Sequence, residues 1–420
     1  MRVLLVSDVY FPRVNGVSTS LATFRRDLPA CGIDTTLIAP EYPPPAPEDP
    51  QPPAEEPGIR RIPSAAIWGD PEDRRMRWRA LTGALERVAA EPYDLVHIHT
   101  PFIAHYAGVR FARRARLPCV ATYHTFFEEY LHHYVPALPH ALGRQLARSF
   151  TRSQCRQVDA LIAPSEPMRE LLAAYGVRTP IHVLPTGLPE ECFRPGEGAR
   201  FRAAFALPPE RPLLLYVGRV AHEKNIEFLI HAYAQLRRAA PAALLVIAGE
   251  GPARKALQQL VERENLQPHV RFVGYLERNQ ALLDCYAAAQ VFVFASRTET
   301  QGLVLLEAMA QGTPVVSTAM LGTRSVLQPA SGALVVPERV EDFAAAIQRL
   351  LEDESLRVSR ASQARDYAQT WSSRAMAQRL AALYRELVAA GSQVLLRTGS
   401  SNAAARKAAA SAPGDKQPQS

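Results

Sequence analysis

The sequence predicts an α/β protein built of two parallel-sheet domains, and three features carry that expectation. Apolar runs such as Val3-Leu4-Leu5-Val6, Leu213-Leu214-Leu215-Tyr216-Val217 and Val291-Phe292-Val293-Phe294 lack polar alternation, as strands covered on both faces require. Each runs into a polar or glycine-bearing turn and then a helical pattern, the rhythm of strand–helix–strand units. The chain is 420 residues long, more than one ordinary core holds, and the Pro/Gly/charge mixture from Glu190 to Arg200 reads as a linker between halves.

In the first half, Val3 to Val6 is a buried strand, and Asp8 to Ser18 is a loop entering a helix. That turn lacks G-x-G-x-x-G, which counts against a dinucleotide cofactor. Gly16 reads equally as a plain turn glycine and as a close backbone approach to a ligand. Thr35 to Ala39 is a second strand, and Pro43 to Pro57 a solvated Pro- and Glu-rich loop. From Glu72 the segment EDRRMRWRALTGALERV is expected to be helical, with Arg74, Arg75, Arg77 and Arg79 around Met76 and Trp78. Leu95 to His99 and Val120 to His124 are strands whose His-bearing ends face the side where such sheets place ligands. An imidazole there can donate hydrogen bonds near neutral pH, or simply cap the following turn.

Ala141 to Gln157 carries two rows four residues apart, Leu142, Leu146 and Phe150, and Arg144, Arg148, Arg152 and Arg156. Two residues turn a helix by about 200°, so the rows lie on opposite faces, and the Leu row is expected against the sheet. Four arginines with no carboxylate before Asp159 read either as a solvated face or as a contact for an anionic membrane surface, for which the Arg74 to Arg79 segment is the other candidate. Strands Ala160 to Ala163 and Ile181 to Leu184 close this half.

In the second half, Leu213 to Val217 stops at Gly218-Arg219, and Lys224 opens the next helix five residues later. Both cations sit on one strand-to-helix loop, within reach of one anion. Leu244 to Pro252 and Arg271 to Tyr275 supply further strand ends. The segment SRTETQGLVLLEAMAQGTP, Ser296 to Pro314, follows the Val291 to Phe294 strand and becomes helical at Leu303. Backbone N–H groups of Thr300, Gln301, Gly302 and Leu303 at such a helix start suit a phosphate. Carboxylates repel phosphate, so Glu299 and Glu307, which bracket the turn, are suited to hydroxyls of ribose or another sugar. The outline is a nucleotide-sugar site.

Composition narrows the class. No apolar run approaches the roughly 18 residues of a membrane span, and Met1-Arg2 leads directly into a strand, so cytoplasmic residence is expected. The five cysteines, 31, 119, 155, 192 and 285, form no CxxC pair, which speaks for reduced thiols. A net charge of +7 permits contact with anionic lipid, and no aromatic-basic module for nucleic acid is present.

The Glu299-x7-Glu307 turn with Gly302 and Gly312-Thr313-Pro314 resembles the signature of the retaining family 4 glycosyltransferases of GT-B fold; so does Gly218-Arg219 with Glu223-Lys224-Asn225. Tyr123-His124-Thr125 with Glu129-Tyr130 looks like the branch that makes glucosyl diacylglycerols. The resemblance spans Met1 to about Ala390. It implies two Rossmann-like domains facing each other across a cleft, 1–195 on the acceptor side and 205–370 holding the donor. A terminal helix, 371–390, would cross back to the first domain, leaving 391–420 as a disordered tail too polar to bury itself.

The activity so implied is retaining transfer of a hexose, glucose first, from a UDP-sugar to a membrane lipid such as 1,2-diacylglycerol, on the inner face of the cell membrane. Arg219 and Lys224 would hold the diphosphate, Glu307 the ribose, and Glu299 with the 300–303 backbone the sugar. His124 would reach the sugar from the opposing domain, and Gly16 would let that domain close on the phosphates. No Asp-x-Asp stands at a strand end, so no metal is expected, and no cofactor beyond the donor itself. Two rivals remain at this level: a GDP-mannose-dependent α-mannosyltransferase acting on a lipid or soluble sugar, and a non-catalytic nucleotide-sugar binding protein.

Overall fold

The computed structural model describes residues 1–43, 57–67, 70–124, 140–277 and 280–410, with side chains at 67–73, 140–141 and 392–410 outside that description. The expected Pro-rich loop and the Glu129-Tyr130 pair therefore lie outside the described residues, apart from the loop's two ends. Among the described residues the strands are β1 (Arg2–Val6), β2 (Asp34–Pro40), β3 (Ile59–Ile62), β4 (Ser64–Ile67), β5 (Asp70–Met76), β6 (Leu95–Ile98), β7 (Cys119–Thr122), β8 (Ala160–Ala163) and β9 (Ile181–Val183). The second half adds β10 (Leu213–Val217), β11 (Leu244–Ala248), β12 (Val270–Gly274), β13 (Val291–Phe294), β14 (Val315–Ser317) and β15 (Leu334–Val335).

They form a seven-stranded sheet in the order β3-β2-β1-β6-β7-β8-β9 and a six-stranded sheet in the order β12-β11-β10-β13-β14-β15. Every pairing within them is parallel, for example Leu5 opposite Leu37 and His97, and Leu215 opposite Val246 and Phe292. The unbroken apolar runs are buried end to end: β10 and β13 have no exposed residue. Helices cover both faces, so alternation was never needed.

In each sheet the strand order reverses beside its first strand, β1 flanked by β2 and β6, and β10 by β11 and β13. At such a switch point the adjoining loops leave the carboxyl edge in opposite directions and open a crevice. The loops after β1, β10 and β13 are those that carry Gly16, Arg219 with Lys224, and Glu299 to Gly302.

The last helix, Ser373–Ala410, packs Met376, Ala377, Leu380, Ala381 and Tyr384 into the same core cluster as Val3, Leu5 and Leu21 of the first half. The two passages of chain between halves are tied together. Leu188 N donates to Trp371 O at 2.6 Å, and Ser373 N to Leu188 O at 3.0 Å.

Three expectations need correction. The stretch from Glu72 is not helical throughout: its first part is β5, antiparallel to β4, and the helix begins at Trp78. Pairing Ser64 with Met76 buries Met76, and Arg74 Nε donates to Ser64 Oγ at 3.1 Å, so the hairpin outweighs helix propensity there. The Leu row of helix His140–Cys155 does not face the sheet. Leu142 is 46 % exposed and Leu146 50 %, while Ala147, Thr151, Gln154 and Cys155 are buried. Periodicity identified a face but not which face the sheet would take. Finally, the terminal helix backbone continues past Gly391 to Ala410. The composition argument weighed burial alone, whereas Ala403-Ala404-Ala405 and Ala408-Ala409-Ala410 are strong helix formers.

Candidate active site

Between the halves lies a cleft of about 650 Å³. Gly16 and His124 face it from the first half; Arg219, Lys224, Glu299, Thr300, Gln301, Gly302 and Leu303 face it from the second. Nine of the ten expected site residues therefore line one space. The tenth, Glu307, does not: it is 2 % exposed on the helix Leu303–Ala310, and Tyr286 Oη donates to its Oε2 at 2.8 Å.

The cationic loop is held from below. Tyr216 Oη, at the end of β10, donates to Arg219 O at 3.0 Å. Burial, then the charges of Glu299 and Glu223, keep that phenol un-ionised well above its ordinary range. Arg219 Nη1 stands 3.7 Å from Glu223 Oε1, and Lys224 Nζ donates to Glu299 Oε2 at 2.7 Å. Asn225, in the left-handed region, sends Nδ2 to Ala295 O at 3.2 Å and to Glu338 Oε1 at 3.2 Å. Asn225 thereby fixes the cationic loop to the chain entering the Glu299 turn.

At the cleft, one glycine is required by space and another by its backbone conformation. Gly249 has φ +137°, and a Cβ there would lie 1.9 Å from Gly218 O, where β10 and β11 end side by side. Gly302 caps the Leu303–Ala310 helix at φ +95°, and a Cβ would meet Leu305 Cδ1 at 2.9 Å. No side chain caps that helix start, which leaves its positive end toward the cleft. Gly16 differs. Its φ is not left-handed, and a Cβ would meet nothing within 4 Å, so neither backbone nor packing demands glycine. The space in front of it is cleft.

Gln301 does something the sequence reading missed. Expected only as a backbone donor, it is 5 % exposed, and its side chain clamps the other half of the molecule. Oε1 accepts from Thr186 N at 2.8 Å and Nε2 donates to Thr186 O at 2.6 Å. Thr186 Oγ1 shares a 2.7 Å hydrogen bond with Ser20 Oγ of the Gly16–Asp27 helix. Beside this pair, Ser165 Oγ donates to Thr300 O at 2.7 Å. No local signal marks these contacts, because the partners are more than a hundred residues apart in sequence.

His124 sits at the end of β7, where its Nε2 lies 3.3 Å from His99 Nδ1. Burial lowers its pKa to about 4, so the ring that meets the cleft is a neutral imidazole. Among the described residues no group of three or more His, Cys, Asp or Glu side chains is placed to hold a metal ion.

Comparison with known proteins agrees with this architecture. Residues 14–191 match the family model Glycosyltransferase Family 4, and residues 199–367 match Glycosyl transferases group 1. An alpha-monoglucosyldiacylglycerol synthase of Streptococcus pneumoniae is 32 % identical over 76 % of this chain and 71 % of its own length. A GDP-mannose-dependent alpha-mannosyltransferase of Mycobacterium tuberculosis is 30 % identical over 80 % of this chain and 84 % of its own. Among solved structures, sucrose-phosphate synthase from Thermosynechococcus elongatus superposes with a TM-score of 0.75 at 27 % identity, covering 93 % of this chain and 99 % of that one. With a two-sheet GT-B fold, matching family models over both halves and this relative among the glucolipid synthases, the chain is a family 4 glycosyltransferase.

Proposed function

We propose that this protein transfers glucose from UDP-glucose to the free hydroxyl of diacylglycerol with retention of anomeric configuration. The observation that carries the reading is the cleft itself, which sets Arg219, Lys224, Glu299 and the Gly302 helix start opposite His124 and Gly16. The diphosphate lies against the cations and the helix start. Lys224, already on Glu299, bridges the diphosphate to the carboxylate that takes the sugar hydroxyls. His124, neutral, contacts the sugar from the other wall.

In the reaction the bond from C1 to the diphosphate oxygen breaks, and the acceptor oxygen bonds to C1 on the same face. The acceptor proton passes to the leaving phosphate. Negative charge grows on the diphosphate as the bond lengthens, and Arg219 and Lys224, fixed beforehand, stabilise it without a metal. Glu299 and Glu307 are not an acid and nucleophile pair of the glycosidase kind. Glu307, buried beneath the cleft and already accepting from Tyr286 Oη, supports the donor helix from below rather than touching the donor in this reading.

The acceptor is drawn from a membrane surface, the cytoplasmic leaflet in this reading. Leu142 and Leu146 stand exposed on a helix that also carries Arg144, Arg148, Arg152 and Arg156, the pattern of an interfacial helix. No described helix is long and apolar enough to cross a membrane. The alpha-monoglucosyldiacylglycerol synthase similarity supports diacylglycerol and glucose, and the mannosyltransferase similarity makes GDP-mannose the alternative to be tested. Donor competition against diacylglycerol in anionic vesicles, read as glycolipid mass, decides between them.

A further inference from the structure

Behind His124 lies a stack of buried polar rings that the reaction as described does not use. His97, on β6, is 1 % exposed, and both its ring nitrogens are engaged: Nδ1 is 2.5 Å from Tyr384 Oη, and Nε2 is 2.7 Å from Thr122 Oγ1. Tyr384 meets it edge-on from the terminal helix, centroids 5.6 Å apart at 79°. His99, two residues along at the same sheet edge, lies over His97 with centroids 3.9 Å apart, and its Nδ1 reaches His124 Nε2 at 3.3 Å. His99 Nε2 is buried with no hydrogen-bond partner.

These contacts make the orientation of His124 depend on His97 twice over. Thr122, which His97 holds, stands two residues before His124 on the same strand end. His99, which bonds His124, has its ring against His97 and no bond at Nε2 to fix it. His97 is in turn fixed at Nδ1 by Tyr384 alone, from a helix that arrives from the far end of the sequence. We propose that Tyr384 is a positioning residue for His124, acting through His97 and His99.

This inference rests on the reading of His124 as the sugar contact, and the test separates the two. Full-length Tyr384→Phe keeps the ring and removes only the hydroxyl. Imidazole resonances of ¹⁵N-histidine protein should shift for His97 and His124 in this variant. Turnover should fall about ten-fold, as expected for a misplaced contact, with donor KM within about two-fold of wild type. In a His124→Asn background the same change should add less than about two-fold, the ordinary scatter of independent sites. Thr122→Val, which removes the other partner of His97, should reproduce the shift at His124 and serves if Tyr384→Phe fails to fold.

Unmoved His124 resonances in either variant, or the same loss of turnover with and without His124, would overturn the proposal. Full turnover in His124→Asn alone would instead remove His124 as a sugar contact, while the resonances still decide whether Tyr384 positions it.

Discussion

Gln301→Ala is the perturbation that separates this structure most sharply from a reading in which the donor turn acts by itself. The wild-type amide satisfies both Thr186 N–H and Thr186 C=O, at 2.8 and 2.6 Å, where Gln301 and Thr186 are each 5 % exposed. Alanine leaves both backbone groups without that partner, at about 1–3 kcal/mol for each unsatisfied group. The expected loss is therefore about 2–6 kcal/mol for the two groups together, read as a shift in urea midpoint at constant slope. Donor affinity, measured by UDP titration, should weaken about ten-fold or more, because the 300–303 backbone loses one of its two anchors on the first domain, keeping only Ser165 on Thr300 O.

Gln301→Glu sharpens the test. An ionised carboxylate still accepts from Thr186 N–H but faces Thr186 O with no proton to donate. The protonated form regains the donor. The folded protein thus favours the protonated acid, so the defect is full at neutral pH and shrinks as pH falls. A change below about 0.5 kcal/mol in Gln301→Ala, the size of an ordinary surface substitution, with unaltered UDP binding would refute the clamp.

Lys224→Ala should cut kcat/KM by about a hundred-fold or more, since it removes a fixed charge at the leaving group. Its pair with Glu299 is partly exposed, so stability should move by less than about 1 kcal/mol, checked by thermal melting. Gly16→Ala should leave melting unchanged or slightly raised and weaken donor binding, because the space its methyl would fill is cleft. Acid should destabilise the fold from about pH 6.5 downward. Burial depresses the pKa of His97 to about 3 and of His105 and His124 to about 4, and pushes His99 well down, so only the unfolded chain takes up these protons. Asp8, raised to about 6 by burial, works in the opposite direction, leaving a net uptake of about two to three protons near pH 5, or about 3–4 kcal/mol per pH unit. Urea midpoints that stay flat from pH 7 to 5 would contradict this. Leu142→Ser with Leu146→Ser should lower binding to anionic vesicles about ten-fold or more while detergent-solubilised acceptor is still turned over.

How much of this was legible in the sequence follows from the range of each signal. Apolar runs buried on both faces, such as β10 and β13, announce themselves locally, and so do loops in which composition changes abruptly, like Gly218 to Asn225. The ligand crevice of a doubly wound sheet lies at known strand ends, and with the motifs' resemblance to family 4 glycosyltransferases that placed nine site residues on one cleft, Gly16 and His124 through the resemblance. Glu307 was placed with them by its spacing and by the motif's resemblance, and neither says how deep a helix sits.

The rest depended on distant partners. Gln301 looks like any turn residue until Thr186 is beside it. The His97, His99 and Tyr384 stack joins two neighbouring positions to one nearly 300 residues away. The Leu row of the His140–Cys155 helix shows the same limit in reverse: its period was correct, but the sheet took the Ala147 and Thr151 side. At Arg74 to Met76 a hairpin partner overrode local propensity, and in the Ala-rich stretch near the end local propensity prevailed where composition argued for none.

Donor and acceptor are decided together by incubating purified protein with UDP-glucose and GDP-mannose in parallel, each with diacylglycerol in anionic vesicles, and reading product by mass. A diacylglycerol glucosyltransferase gives a monoglucosyl lipid from UDP-glucose, and that product disappears in Lys224→Ala and Glu299→Ala. Mannolipid from GDP-mannose alone, or nucleotide binding with no glycolipid from either donor, would contradict that activity.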